Sequence, residues 1–145
     1  MKQLDKLEVD EGDIVLFHTF ATQEERRNFG GSAFIELQFC NMPTRATIKE
    51  LVDVGSIQNW KNDSLYVYID DDNAFYQEYS RIFDCGVYNN LKTGPVDIYG
   101  INYYAPSLIE SIVERLDRER PVDYGVLIEW LIKSKSYNGF YILGY

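Results

Sequence analysis

The chain of 145 residues has one histidine and two cysteines, too few for the usual metal sites. A zinc site needs three or four His, Cys or acidic ligands at workable spacing, and His18, Cys40 and Cys85 do not supply them. The cysteines lack CxxC spacing, and the first residues do not read as a signal peptide. We therefore expect reduced, buried thiols in a cytoplasmic protein, and no metal or other cofactor.

Long apolar runs and positive charge are also scarce. No apolar run approaches the roughly 18 residues that a membrane span needs. Lys and Arg number 14 against 23 Asp and Glu, which gives a net charge of −9. Such a surface repels nucleic acid and anionic membranes and attracts basic proteins, although solubility alone is the simpler explanation. We expect neither nucleic acid nor a membrane as a partner.

Catalytic signatures are missing as well. The sequence has no phosphate loop, GxSxG elbow, HExxH or kinase motif. His18 has no nucleophile or orienting acid identifiable in the sequence, so it is interpreted as a core or edge histidine. These observations predict that the protein is not an enzyme.

Apolar residues make up 46% of the chain, which suits one globular domain over 1–145. The segment 32–40 alternates apolar and polar residues, which predicts a half-buried strand with Glu36 and Gln38 on its polar face. The segment 21–31 is predicted to be a polar loop. Strands are predicted at 13–20, 32–40, 64–69, 96–104 and 140–145.

Helices are predicted from apolar stripes and capping residues. The stripe of 72–83 consists of Phe75, Tyr79, Ile82 and Phe83. Ser107 and Glu110 have capping-box spacing at the start of 107–120. A further helix follows Asp123, with Val126, Leu127, Trp130 and Leu131 predicted to face inward.

The sequence allows either a helix or a strand for the segment 47–55. Thr47 and Glu50 favour a short helix, whereas the alternation of apolar residues allows a strand. The mixed order of elements predicts an α+β fold: a single domain with a mainly antiparallel sheet of about five strands and three to four helices.

The stretch YIDDDNAFYQEY (68–79) is the most distinctive in the chain. Asp71 or Asp72 is expected to cap the helix that begins here. The remaining aspartate of the three, together with Glu78 and Tyr76, is then not needed for folding. The calcium-loop pattern fails, because Phe75 stands where glycine belongs. A magnesium site at these acids is the alternative.

With VDIYGINYY (96–104) and the small, acidic, tyrosine-rich chain, this stretch resembles the immunity proteins of bacterial toxin–immunity systems, such as those of contact-dependent growth inhibition. The resemblance implies a cognate basic toxin domain, often a nuclease, whose active site or substrate-binding surface is masked. The expected toxin-binding residues are Asp70, Asp71, Asp72, Tyr76 and Glu78, followed by Glu8, Asp10 and Glu11.

Two other functions stay open. A self-associating regulatory or adaptor domain would use the tyrosines in a homodimer interface. An enzyme would build an acidic pocket around Asp70 and Asp72. Added salt should slow association with a toxin, but it should not slow the formation of an apolar homodimer. Stabilisation of the free protein by magnesium would indicate the enzyme.

Overall fold

A computed structural model describes residues 15–31, 33–58 and 60–144. It confirms the α+β single domain with an antiparallel sheet, with six strands and five α-helices among the described residues. The strands lie in the order β2-β1-β6-β5-β3-β4. They are β1 (Phe34–Phe39), β2 (Leu65–Tyr68), β3 (Gly86–Tyr88), β4 (Thr93–Gly94), β5 (Ile101–Tyr104) and β6 (Phe140–Leu143). The helices are α1 (Gln23–Gly30), α2 (Ile48–Leu51), α3 (Asp72–Tyr79), α4 (Ile109–Glu119) and α5 (Tyr124–Ser134).

The main core lies between one face of the sheet and α3, α4 and α5. The apolar stripe predicted for 72–83 is confirmed, although Ile82 and Phe83 lie in the turn after α3. Val126 is 40% exposed, so its predicted inward position is wrong, whereas the other three predicted residues of α5 are buried. The buried side chains of this face include Ile35, Leu37, Val67, Phe75, Tyr79, Phe83, Ile112, Leu116, Leu127, Trp130, Leu131 and Phe140.

The opposite face of the sheet is covered too, which corrects the half-buried strand predicted for 32–40. All six residues of β1 are buried, and Glu36 and Gln38 are only 9% and 1% exposed. This face carries two smaller apolar clusters, one around Phe34 and Tyr66 and one around Tyr103 and Tyr141. The polar residues of β1 lie between the two.

Two short helices follow capping signals in the sequence. The predicted loop 21–31 is wrong: α1 forms because Thr22 Oγ1 accepts a hydrogen bond from the Glu25 backbone N–H at 3.1 Å, and Gly31 ends it with φ of 76°. The capping box of Thr47 and Glu50 is present, so 47–55 begins with helix α2 rather than a strand.

The predicted strand 13–20 is wrong over the residues described. His18 pairs with Tyr66 of the edge strand β2 through two backbone hydrogen bonds of 2.8 and 2.9 Å, an isolated bridge. The backbone N–H groups of Leu16 and Phe17 instead donate to the carboxylate of Asp123, both at 3.0 Å. A side chain 107 residues away thus takes the place of a neighbouring strand.

Three features of the secondary structure differ from the prediction, each because of interactions within the same stretch of chain. The capping box of Ser107 and Glu110 does not form, because Pro106 opens a 3₁₀ turn and α4 begins only at Ile109. The strand predicted at 96–104 begins at Ile101, because the Asn102 side chain bonds to the loop before it. The hairpin of β3 and β4 escaped prediction because its strands have three and two residues. Both cysteines are free thiols.

The two hydrogen bonds to Asp123 predict a measurable stabilisation. The substitution Asp123→Asn keeps the shape and tolerates the φ of 62°, but it removes the charge from both bonds. It should lower the free energy of unfolding in urea by about 1–2 kcal/mol.

Asp117→Asn is the matched control, since the Asp117 side chain is 70% exposed. It should change stability by less than about 0.5 kcal/mol. Equal losses in the two variants would contradict the role given to Asp123.

Candidate functional site

The acidic stretch forms a continuous surface along α3. Asp70 and Asp71 lie in the 3₁₀ turn Ile69–Asp71 that directly follows the edge strand β2, and Asp72 is the first residue of α3. Tyr76, one helical turn later on the same side as Asp72, is 42% exposed. Asp72 and Tyr76 therefore share one side of α3, and Asp70 and Asp71 lie in the turn just before it.

The capping role expected of Asp71 is not found. Asp71 occupies the N-cap position of α3, yet its side chain makes no capping hydrogen bond. Its backbone is not in the extended conformation usual for a capping residue, because the preceding 3₁₀ turn runs directly into the helix. The carboxylate of Asp71 is thus not needed to start α3.

Glu78 is separated from this surface. Residues two apart on a helix point in different directions, so Glu78 lies away from Tyr76. Its carboxylate accepts a hydrogen bond from the backbone N–H of Val122 at 3.0 Å, which ties α3 to the α4–α5 connection. The expectation that Glu78 is unneeded for folding is therefore wrong.

Tyr76 lies within electrostatic range of Tyr88 on strand β3. Burial raises the pKa of Tyr88 on β3, and the neighbouring Asp97 and Tyr76 raise it further. Tyr76 and Asp97 therefore both lie within electrostatic range of the Tyr88 hydroxyl. We call Asp70, Asp71, Asp72, Tyr76 and Asp97 the acidic band.

The β3–β4 hairpin, whose first strand carries Tyr88, has a strained residue that the sequence did not reveal. Leu91 has φ of 71° and its side chain is 49% exposed. A left-handed conformation costs a leucine about 1–2 kcal/mol, and an exposed apolar side chain does not offset this in the isolated chain. Tyr99, in the following loop, is 69% exposed. The hairpin and the loop that follows it therefore expose one apolar and one aromatic side chain.

Glu8, Asp10 and Glu11 lie outside the described residues. Within the part of the chain that the structure describes, no group of three or more His, Cys, Asp or Glu side chains could hold a metal ion. Over the same residues, no helix has the length and apolar character required to cross a membrane.

A second constellation lies on the opposite face of the sheet, around the buried Glu36. Its Oε2 atom accepts hydrogen bonds from Ser64 Oγ at 2.6 Å and Gln38 Nε2 at 3.1 Å. The Tyr66 hydroxyl lies 3.3 Å from the same oxygen and 2.7 Å from the carbonyl oxygen of Lys61. Glu36 thus joins β1 to the segment that leads into β2.

The ionisation of Glu36 reflects this burial. Burial raises its pKa above the ordinary value, while the hydrogen bonds and the charge of Arg26 act in the opposite direction. Sequence reasoning missed Glu36 because alternation alone assigned it to solvent. An acid inside the apolar run FIELQF was the available signal.

Comparison with protein-family models, curated proteins and solved structures finds no significant match for this chain. The function therefore has to be argued from the chemistry of the two surfaces described above.

The raised pKa of Glu36 predicts how stability depends on pH. The folded chain holds the Glu36 proton to higher pH than the unfolded chain, so wild type loses stability as pH rises through the raised pKa. Glu36→Gln removes this loss. Its stability relative to wild type, measured by urea unfolding, should therefore increase as pH rises from the ordinary glutamate pKa through the raised one.

Glu24→Gln serves as the control, because it removes a charge from the exposed surface of α1. Its stability relative to wild type should not increase in the same way. A Glu36→Gln variant that became less stable relative to wild type as pH rose would show that ionised Glu36 stabilises the fold.

Proposed function

We propose that this protein is an immunity-type inhibitor that binds a basic toxin domain through the acidic band. The observation that carries the proposal is the start of α3, where Asp70 and Asp71 lie in the preceding turn and Tyr76 is exposed one helical turn after Asp72. In this proposal the protein is a cytoplasmic inhibitor that has no catalytic activity of its own and acts through this surface.

The charge of the band suits a nuclease as the partner. A nuclease binds phosphates with lysine and arginine side chains, and a row of carboxylates presents these side chains with comparable negative charge. With a net charge of −9, the whole chain also accelerates the encounter with a basic domain. Bound in this way, the inhibitor would exclude the nucleic acid from the substrate-binding surface of the nuclease.

Exposed aromatic and apolar side chains supply the short-range part of the interface. Tyr76 offers a ring for cation–π contact with a basic side chain, and Leu91 offers an apolar side chain at the hairpin tip. Burial of Leu91 against a partner would offset the cost of its left-handed backbone.

The direct test is to co-express the chain with the domain encoded immediately upstream of its gene and to purify the complex. A one-to-one complex with a basic domain that is toxic by itself supports the proposal. If the neighbour is harmless or does not bind at physiological salt, the proposal fails, and a homodimer of this chain becomes the alternative to test.

A charge reversal locates the interface. The double substitution Asp70→Lys with Asp71→Lys should slow association with the toxin domain by about tenfold or more at low salt, and the difference should shrink as salt rises. Stopped-flow fluorescence measures both rates. Neither carboxylate caps α3 in the structure, so the variant should fold.

The matched control is Glu114→Lys with Asp117→Lys, which makes the same change in charge on exposed positions of α4. It should slow association by less than about threefold. If both pairs slowed association equally, the band would contribute only through the net charge and would not be the contact surface.

A further inference from the structure

The face of the sheet opposite the main core contains an aromatic cage around a cation. The rings of Phe34, Trp60 and Tyr66 surround the guanidinium carbon of Arg26 at 5.8, 5.9 and 5.5 Å from their centroids. The Phe34 and Trp60 rings each pack against Tyr66, with centroids 5.8 and 6.0 Å apart. Such an arrangement attracts planar cations through the faces of the rings.

A carboxylate lies beside the cage. Tyr66 forms one wall, and its hydroxyl is 3.3 Å from Glu36 Oε2. The charge of Arg26 acts on both Glu36 and Tyr66, which places the guanidinium within electrostatic range of the buried acid. The cage therefore combines three aromatic rings with a nearby buried carboxyl group.

Arg26 occupies this cage imperfectly. Its Nε atom is buried and has no hydrogen-bond partner. A buried N–H without a partner costs about 1–3 kcal/mol, so Arg26 fills the cage at a cost in free energy.

The helix that delivers Arg26 is weakly attached. Helix α1 has no buried residue. Phe29 packs against His18, Phe20, Phe34 and Tyr68, yet it remains 50% exposed. Elements with so little buried surface open at low free-energy cost, so we expect α1 to open before the main core does. Phe34 and Tyr66 are 5% and 0% exposed, so another occupant reaches the cage only when α1 opens.

We propose that Phe34, Trp60 and Tyr66 form a binding site for an arginine side chain of another polypeptide, which Arg26 fills while no partner is bound. The site is separate from the acidic band on α3. The source of the arginine, a basic partner protein, rests on the proposed function. The ability of the cage to bind an arginine side chain does not depend on that function.

The test removes the internal occupant and supplies a substitute. In Arg26→Ala, N-acetyl-arginine amide should bind and shift the indole N–H signal of Trp60 in NMR spectra. Wild type should bind the same probe at least about tenfold more weakly, because Arg26 competes for the cage. N-acetyl-citrulline amide, which has the same shape without the charge, should not bind to either protein.

The chain contains its own reference signal. Trp130, the other tryptophan, donates its indole N–H to the Asp63 carbonyl oxygen on the main-core side and should not shift. Arg26→Gln keeps a polar side chain and loses only the cation. It should give the same result, and it replaces Arg26→Ala if the alanine variant does not fold.

Equal binding of the arginine probe to wild type and the Arg26 variants, equal binding of citrulline, or no shift of Trp60 would overturn the cage proposal. None of these results bears on the acidic band. Conversely, loss of toxin binding with a functional cage would overturn only the proposed function.

Discussion

The hydrogen bonds to the buried carboxyl of Glu36 allow β1 to be covered on both faces. A buried acid is costly unless hydrogen-bonded, and Ser64, Gln38 and Tyr66 supply its partners. Ser64 lies on the segment that leads into β2, and Tyr66 lies on β2 itself. The same bonds therefore hold this part of the chain against β1. The second face of the sheet, with its two aromatic clusters and helix α1, is built around this contact.

Much of the fold could be predicted because its signals are local. The apolar stripe of α3 and the capping box of Thr47 and Glu50 each lie within one element. The double burial of β1 could not be predicted, since it depends on residues from 26 to 66 that meet only in the folded chain. Likewise, nothing near Leu16 indicates that Asp123 will accept its backbone N–H.

The candidate site likewise has a part that the sequence predicts and a part that only the folded chain shows. The sequence predicts that Asp72 and Tyr76 share one side of a helix, because they stand four residues apart, and that Asp70 and Asp71 directly precede it. It does not show that Glu78 bonds to Val122, or that Asp97 and Tyr76 both come within electrostatic range of Tyr88 on β3. The cage around Arg26 combines α1, β1 and β2 with Trp60, so no single stretch of sequence contains it. Both surfaces present carboxylates beside aromatic rings, a combination that suits cations.

The arrangement of Glu36 beneath Arg26 is tested most directly by titrating the Glu36 carboxyl carbon by NMR in wild type and in Arg26→Ala. The structure predicts a pKa above the ordinary value of 4.5 in wild type. It predicts a still higher pKa in the variant, because the positive charge that lowers it is gone. A wild-type pKa at or below the ordinary value, or no change on removal of Arg26, would contradict a buried acid next to an occupied cation site.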